Sequence, residues 1–402
     1  MYVHGIRALF AFEGYVVSKI TMSGDVVQVN LRRDKRFRLA CPACGATMGA
    51  NRTKLQPARD MPWGPATLVL IIYEAIQGRC SACGCLATIH PGGIDERARA
   101  TRRFMEFVSR LARHLPLVHV TEIAGVDDAT AFRWDRAVLK RKLPPPDLDN
   151  LRILLIDEKS VRRRHGYVTL VMNGITGELL YLAEGKKKES LQGFFDMLTR
   201  EQKASIVAVG MDRAGAYHEV VKEQLPDADI VFDKFHLIAN YHAVIDEVRR
   251  EEWRKASAEN KDVIKGQRYN LFRNASNRTA EQTQSLMRLL HMNRNLAVCY
   301  ILKDAFRKLW DYRRLKAAAT YLDRWCRWAA VSGIEAVRRF GRSLMKARQE
   351  VLNYFRHPIT IGPLEGFNNT VSRVVHRACG VRSMDYLFLK LRQESLETAP
   401  PK

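Results

Sequence analysis

Three carboxylates occupy positions at which they could bind divalent metal ions. Asp157 follows the apolar run 153–156, Asp212 closes the run SIVAVGMD, and Glu365 begins an amphipathic segment. Mg²⁺ prefers such oxygen ligands, whereas acids converging without metal would repel by roughly 1 to 4 kcal/mol per close pair. Asp157 alone could simply end a strand. Together the three acids predict a site for phosphate chemistry that holds two ions of Mg²⁺ or Mn²⁺.

Two Cys-x-x-Cys pairs form a second candidate metal site. Cys41 and Cys44 lie in CPACG, and Cys80 and Cys83 lie in RCSACG. The glycine after each pair permits a tight turn, and four thiolates match the tetrahedral preference of structural Zn²⁺. The alternative is unmetallated cysteines in turns. The other four cysteines are a weaker ligand candidate, Cys85, and three expected core thiols on helical patterns, Cys299, Cys326 and Cys379.

The elements around the first two acids follow the order βββαβαβ. We predict strands at 153–157, 166–174 and 178–183, a helix at 189–202, a strand at 205–210, a helix near 217–225 and a strand at 229–232. This order is that of an α/β RNase H-like domain with a mixed sheet. Asp157 and Asp212 are then expected at neighbouring strand ends, where open α/β sheets place their sites.

The chain after these strands is helical in pattern. Residues 237–355 read as a basic helical insertion that helps to hold DNA, or alternatively as a separate helical domain. A late helix follows, with an apolar stripe at Leu364, Phe367, Val371 and Val374. Its opposite face carries Glu365 and the candidate DNA contacts Asn368, Asn369 and Arg373.

The N-terminal part predicts a β-hairpin within residues 1–39, a helix at 102–115 and then a helix-turn-helix. We expect Thr121 to cap a helix that ends at Ala124, Gly125 to supply the turn, and Asp127 or Asp128 to cap the second helix. Candidate DNA contacts on the second helix are Thr130, Arg133, Arg136 and Lys140. The alternative is an αα-hairpin with a solvated basic face. A proline run at 144–146 predicts a linker.

The composition favours a polyanionic partner. The 66 Lys and Arg residues outnumber 43 Asp and Glu residues, which gives a net charge of +23. Double-stranded DNA is the first candidate. A spanning helix needs roughly 18 apolar residues in a row, and no run approaches that length, so we expect no membrane partner. We expect a cytoplasmic protein with reduced cysteines.

The motif FDKFHL contains two further polar residues, Asp233 and His236. Asp233 could cap the following helix, or it could be an auxiliary carboxylate near the metals or a DNA contact. His236 could contact a phosphate or make a structural hydrogen bond.

Seven segments in one order resemble the ISL-three family of bacterial insertion-sequence transposases. They are CPACG, RCSACG, the helix-turn-helix, IDEKS, GMDRAGAY, FDKFHL and GPLEGFNN. The resemblance implies a DDE transposase whose acids are Asp157, Asp212 and Glu365, with a helical insertion before the glutamate. It associates the N-terminal segments with terminal inverted repeats. Related sequences often carry a second Asp where this chain has Glu158.

The resemblance and the patterns together predict five regions. These are a hairpin and zinc domain (1–95), a helix-turn-helix with linker (96–146), the first part of the core (147–236), the insertion (237–355), and the final core helix with a tail (356–402). The expected protein works on the nucleoid as a homodimer or larger assembly with element ends and target DNA. Two rivals are an inactive DNA-binding regulator derived from a transposase and a plain metal nuclease.

Overall fold

The computed structural model describes residues 9–63, 67–162, 166–213, 215–378 and 380–398. Its chain forms two compact units, which divide between Pro145 and Pro146 in the proline run. The first unit also includes Arg373–Gln393, and the second includes the residues from Glu394 onward. The region predicted as the final core helix with a tail, 356–402, is therefore shared between the two units. Cys379, one of the expected core thiols, lies outside the described residues.

A β-sheet forms the N-terminal part of the first unit. Its strands are β1 Tyr15–Ser23, β2 Val26–Arg33, β3 Met48–Asp60, β4 Leu68–Cys80, β5 Leu86–Ile89, β6 Ile94–Asp95 and β7 Ala100–Thr101. The strand order is β1-β2-β4-β3-β7-β6, with β5 on β4. The predicted β1–β2 hairpin is present, and Gly24 adopts φ +57° at its turn. The buried core beside this sheet includes Val27, Val29, Ile71 and Tyr73.

The long antiparallel pair β3–β4 was not predicted. Every second residue along most of β4 is buried, as a half-buried strand requires. In β3, however, residues Gly49–Leu55 are all exposed, so this strand carries no apolar alternation. Pairing with β4 through the backbone, from Met48↔Cys80 to Asp60↔Val69, defines β3 instead.

Helices complete the first unit. They are α1 Arg102–His114, α2 Leu117–Ala124, α3 Asp128–Lys142 and, as far as Gln393, the final helix α16 Met384–Thr398. The Thr121 cap was wrong: Pro116 precedes the first residue of α2, and the Thr121 hydroxyl donates to the Val118 carbonyl inside the helix. Gly125 ends α2 at φ +60°, and the Asp127 carboxylate caps α3 by accepting from Thr130 N.

A buried carboxylate joins α16 to the helices of this unit. Asp135, fully buried on α3, accepts hydrogen bonds from Ser109 Oγ on α1 at 2.6 Å, and from Tyr386 Oη at 2.5 Å and Lys390 Nζ at 3.0 Å on α16. A buried charge is stable only when it is paired and hydrogen-bonded. This network therefore fixes the face of α16 that meets α1 and α3.

The second unit contains a five-stranded mixed sheet. Its strands are β8 Ile153–Arg162, β9 Gly166–Asn173, β10 Leu179–Glu184, β11 Ala208–Met211 and β12 Asp229–Phe232, in the order β10-β9-β8-β11-β12. β8 runs antiparallel to β9 and parallel to β11, which is parallel to β12. Its helices include α4 Lys188–Asp196, α5 Arg200–Ser205 and α6 Gly215–Gln224. The predicted order of elements is present.

Two details of this sheet differ from the prediction. The expected helix at 189–202 is two helices, because Thr199 starts α5 with a capping box to Gln202. The strand expected from residue 205 begins at Ala208, because Ser205 still belongs to α5.

A helical region follows β12. Its helices are α7 Lys234–Lys255, α8 Ala258–Ile264, α9 Arg268–Phe272, α10 Ala280–Met292, α11 Arg294–Arg307, α12 Leu315–Val331, α13 Glu335–Lys346 and α14 Arg348–Leu352. Tyr241, Phe306, Trp325 and Phe340 pack ring against ring in its core, and Cys299 and Cys326 are buried there as predicted. The chain then forms α15 Gly362–Arg377. Within the described ranges, no helix combines the length and apolar character needed to cross a membrane.

Candidate functional site

Asp157 and Asp212 occupy equivalent positions on two neighbouring parallel strands. The last parallel partners of β8 and β11 are Ile156 and Met211, and each acid comes next in its chain. Asp157 does not end its strand, contrary to the prediction: β8 continues to Arg162, and Asp157 pairs with Leu170 of β9. Because β11 ends at Met211, its pairing with β8 stops before Asp157, although β8 itself continues. Asp157 remains 8% exposed.

Asn368 holds the Asp157 carboxylate. Its Nδ2 donates to Asp157 Oδ2 at 2.6 Å, and Glu158 N donates to Oδ1 at 2.8 Å. The Oδ1 atom of Asn368 is buried and has no hydrogen-bond partner within the described part of the chain. A buried, unpaired amide oxygen beside a carboxylate supplies a further hard oxygen to a metal ion. Asn368 was predicted as a DNA contact.

His236 lies between the other two acids. Its Nε2 is 2.8 Å from Glu365 Oε1, and its Nδ1 is 3.9 Å from Asp212 Oδ2. An ionised carboxylate only accepts hydrogen bonds, so in the pair with charged Glu365 the His236 Nε2–H is the donor. Glu365 lies in the first turn of α15, one turn before Asn368. His236 therefore links Asp212 to Glu365 on α15, and Asn368 links the same helix to Asp157.

Asp233 fixes the positions of two helices that carry these residues. Its Oδ2 accepts from Phe235 N at 2.8 Å and His236 N at 3.1 Å, which caps α7. Its Oδ1 accepts from Thr360 Oγ1 and Ile361 N, both at 3.2 Å, just before α15. We define this set of four hydrogen bonds as the Asp233 clamp. The carboxylate is 2% exposed, and both its oxygens are occupied.

The surroundings of Asp157 disfavour its negative charge in the metal-free protein. Burial raises the pKa of Asp157, against the opposing hydrogen bonds of Glu158 N and Asn368, and the Asp212 charge raises it further. Burial also raises the pKa of Glu158. Successive strand residues face opposite sides of a sheet, and Glu158 lies 3.8 Å from Lys186. A bound cation would offset the cost of charging Asp157.

The donor set fits hard divalent ions. In the described residues, the group with carboxylate ligand atoms within 4.8 Å of one another is Asp233, His236 and Glu365, rather than the three predicted acids. The clamp occupies Asp233, however, so Asp233 has no free oxygen for a metal. Two ions about 3.5 to 4 Å apart need ligands spread wider than one coordination sphere. Asp157, Asp212, Glu365 and the Asn368 amide oxygen offer such a set.

The cysteine pairs converge at the end of the β3–β4 pair. Cys41 Sγ lies 3.6 Å from Cys83 Sγ, and Cys44 Sγ lies 3.5 Å from Cys80 Sγ. All four sulfurs lie within 4.8 Å of one another. A tetrahedron with Zn–S distances of about 2.3 Å has edges of about 3.8 Å, so the spacing fits Zn²⁺. The long segment between the pairs is the hairpin, which brings Met48 opposite Cys80.

The two Cys-x-x-Cys turns have the same backbone arrangement. Gly45 N donates to Cys41 O and Gly84 N to Cys80 O, with both glycines at positive φ, +72° and +71°. Backbone N–H groups of Cys44 and Ala43 lower the pKa of Cys41 to about 6, which favours the thiolate that a metal requires. Cys85 lies outside the four-sulfur cluster.

The predicted DNA contacts of α3 differ in how far they are already paired. Arg136 donates to Asp385 Oδ2 at 2.8 Å, and Lys140 lies 3.3 Å from the same atom. Arg133 is exposed and donates to Thr130 Oγ1 at 3.0 Å and to a backbone carbonyl, with no acidic partner among the described residues. Two other candidates, Asn369 and Arg373, are exposed on α15.

Sequence reasoning missed three roles at these sites. The Asp-x-x-His spacing of FDKFHL does indicate a cap with His236 on the first turn, but nothing in it identifies Glu365 as the partner. The contacts of Asn368 with Asp157 and of Asp233 with Ile361 join distant parts of the chain. For Asn368, the signal in the sequence was its position one turn after Glu365, which places both residues on one helix face. The contact between Asp233 and Ile361 had no such signal.

Comparison with known proteins gives one consistent result. Residues 154–391 match the model of an ISL-three DDE family described as transposase. The chain is 29% identical to the transposase for insertion sequence element IS1001 of Bordetella parapertussis over 394 residues, 96% of this chain and 97% of that protein. It is 27% identical over 378 residues to the transposase for insertion sequence element IS1557 of two Mycobacterium tuberculosis strains, 87% of this chain and 84% of that protein.

Proposed function

Because the chain belongs to the ISL-three family of DDE transposases, we propose that it binds the terminal inverted repeats of an insertion sequence, cleaves DNA at the element ends and joins the freed 3′-hydroxyl to target DNA. The observation that carries this proposal is the shared position of Asp157 and Asp212, each directly after the last paired residue of neighbouring parallel strands. Open α/β sheets bind their ligands at such strand ends.

In this proposal, Asp157, Asp212 and Glu365 hold two ions of Mg²⁺ or Mn²⁺. Bound divalent ions would supply activation of the attacking oxygen and stabilisation of the leaving oxygen of a phosphodiester. The chain's own residues set the geometry of these ligands. Asn368 fixes the rotamer of Asp157, His236 fixes that of Glu365, and the Asp233 clamp sets both helix starts relative to the strand ends.

DNA recognition is assigned to the first unit. A structural Zn²⁺ on Cys41, Cys44, Cys80 and Cys83 would hold the ends of β3 and β4 together, and α2 and α3 would act as a helix-turn-helix. Arg133 is the best-placed contact on α3, because among the described residues it forms no salt bridge, whereas Arg136 is paired with Asp385. Exposed Asn369 and Arg373 on α15 would contact the DNA backbone. A protein of net charge +23 attracts duplex DNA over long range.

Incubation of the full-length protein with Mg²⁺ and end-labelled duplexes that carry the element ends tests the proposal. Cuts at the element boundary together with joined products support it. Binding to the ends without any cut would favour the inactive regulator, and cuts without end preference or joining would favour a plain nuclease. The reaction would use a homodimer or larger assembly, because both ends of an element must be processed together.

A further inference from the structure

A basic groove lies on the helical region at the far end of α7. It is open, has a volume of about 640 Å³ and is lined by residues of α7, α8 and the turn after α8. Five of its lining residues are basic: Arg249, Arg250, Arg254, Lys261 and Lys265. One lining residue, Asp262, is acidic.

The charges of this groove are unevenly satisfied. Arg249 and Arg250 pair with Asp246, at 2.8 and 3.4 Å. Arg254, Lys261 and Lys265, in contrast, make no ion pair with any residue that the structure describes. Three cations without ion-pair partners around one open groove repel one another, and a bound polyanion relieves that repulsion.

The groove also contains an exposed aromatic side chain. Trp253 is 41% exposed, and the Lys261 ammonium lies 5.2 Å from the centroid of its ring. A large apolar ring between cations suits a ligand that alternates apolar sugars with phosphates. A simple anion could be bound by the cations alone and would not require the aromatic ring. In a duplex the bases are stacked inside, so the ring can contact only sugars while the cations contact phosphates.

We propose that this groove binds the sugar-phosphate backbone of the duplex whose strand is cut at the acids. The proposal rests on the proposed function and extends it by giving a second DNA contact at a fixed distance. α7 carries both sites, with His236 in its first turn and Trp253 in its last turn. At roughly 1.5 Å per residue, the helix separates them by about 26 Å along its axis.

This distance sets the expected position of the contact on DNA. A duplex advances roughly 3.4 Å per base pair along its axis, so for a duplex that lies along α7, 26 Å corresponds to about eight base pairs. The groove is therefore expected to protect backbone positions about eight base pairs from the cut phosphate. Since it reads only sugars and phosphates, it adds affinity without sequence preference.

The test compares two triple variants of the full-length protein. One is Arg254→Ala with Lys261→Ala and Lys265→Ala. The matched control removes the same charge from exposed positions elsewhere in the helical region, Arg313→Ala with Arg314→Ala and Lys316→Ala. Thermal unfolding of both variants checks that each folds as the wild type does. Each protein is measured on a random-sequence duplex over a range of salt concentrations and on an element-end duplex by hydroxyl-radical footprinting.

The groove variant should lower the slope of log affinity against log salt by roughly 2 to 3, at about 0.9 per lost phosphate contact. It should also lose protection about eight base pairs from the cut site, while the control keeps both properties. Equal slopes for the two variants, or an unchanged footprint in the groove variant, would overturn the proposal. A wild-type protein without end preference would refute the proposed function alone, because the random-sequence duplex still tests the groove.

Discussion

Asn368 Nδ2 donates to the buried Asp157 carboxylate at 2.6 Å, while the Oδ1 atom of the same amide is buried without a partner among the described residues. The pair is therefore better suited to a protein with bound metal than to the metal-free protein. In the metal-free protein, burial and the Asp212 charge both oppose ionisation of Asp157.

Asp157→Asn should consequently stabilise the metal-free protein. The introduced amide carries no charge, so the cost of burying the Asp157 carboxylate is removed. We expect the melting temperature in divalent-free buffer at neutral pH to rise by about 2 °C or more, since 1 kcal/mol corresponds to roughly 2 to 4 °C at this size. Mg²⁺ should then raise the melting temperature of the wild type but not of the variant.

The pH dependence of this difference follows from the direction of the Asp157 pKa shift. A raised folded-state pKa means that the cost of charging Asp157 is absent below the unfolded pKa and fully present above the folded one. The advantage of Asp157→Asn should therefore be largest at neutral pH and fade toward about pH 4. Thermal melts across this range would contradict the account if the advantage grew as the pH fell.

Amide variants of the three acids should separate binding from chemistry. Asp157→Asn, Asp212→Asn and Glu365→Gln each remove a ligand charge and nearly preserve shape, so end DNA should still shift in a gel. Cleavage and joining should each fall by at least about a thousandfold, since groups that act as a unit are each indispensable. Glu158→Gln is the matched control, because Glu158 faces the other side of β8. An active Glu365→Gln protein would place the third ligand elsewhere.

Two substitutions of Asp233 should differ in severity. Asparagine is as good an N-cap as aspartate, so Asp233→Asn should keep the cap of α7 and measurable cleavage, although its amide NH2 cannot accept from Ile361 N as Oδ1 does. Asp233→Ala removes both halves of the clamp and leaves the buried Ile361 N–H unpaired, which costs about 1 to 3 kcal/mol. We expect a lower melting temperature and a large loss of cleavage, with normal DNA binding. Loss of activity in Asp233→Asn without loss of stability would instead indicate a metal ligand.

Cys44→Ser should lower the zinc content of the purified protein and destabilise its first unit. A structural Zn²⁺ with four thiolates loses affinity when one becomes a hydroxyl. Cys85→Ser is the control, because Cys85 lies beside the cluster without joining it. Metal analysis by mass spectrometry decides the outcome, and a native, reduced wild-type protein without zinc would refute the assignment.

On α3, Arg133→Ala should weaken binding to terminal repeats more than Arg136→Ala does. Arg136 is already paired with Asp385, so its removal mainly leaves Asp385 paired with Lys140 alone. Asp385→Asn should accordingly tighten DNA binding, because it releases two cations. Gel-shift titrations at fixed salt measure all three variants. Equal losses for the two arginine variants would mean that the Asp385 pair opens at no cost when DNA binds.

The sheet of the second unit was predictable because its strands are continuous apolar runs, and β12 was predicted with its observed bounds. The end of β8 was not, because Asp157 looks like a terminus in its own sequence. Only its neighbour β11 shows which strand ends there. Similarly, β3 is defined by its partner rather than by its own residues.

The contacts that arrange the acids were beyond prediction from one sequence. His236 meets Glu365 across the whole helical region, and no local periodicity reports a hydrogen bond between residues so far apart in the chain. The residue types in these motifs could be assigned to a chemistry, but their mutual arrangement depends on how the helical region returns to the sheet.

That return has a consequence for variation in the size of the protein. The helical region leaves the sheet at Asp233 and comes back to the same carboxylate at Ile361, so it is a loop already closed at its base. Helices could be gained or lost inside such a loop without changing the spacing between Asp212 and Glu365, since the closure cost grows only slowly with loop length. The length of the helical region could therefore vary while the spacing between Asp212 and Glu365 stays the same.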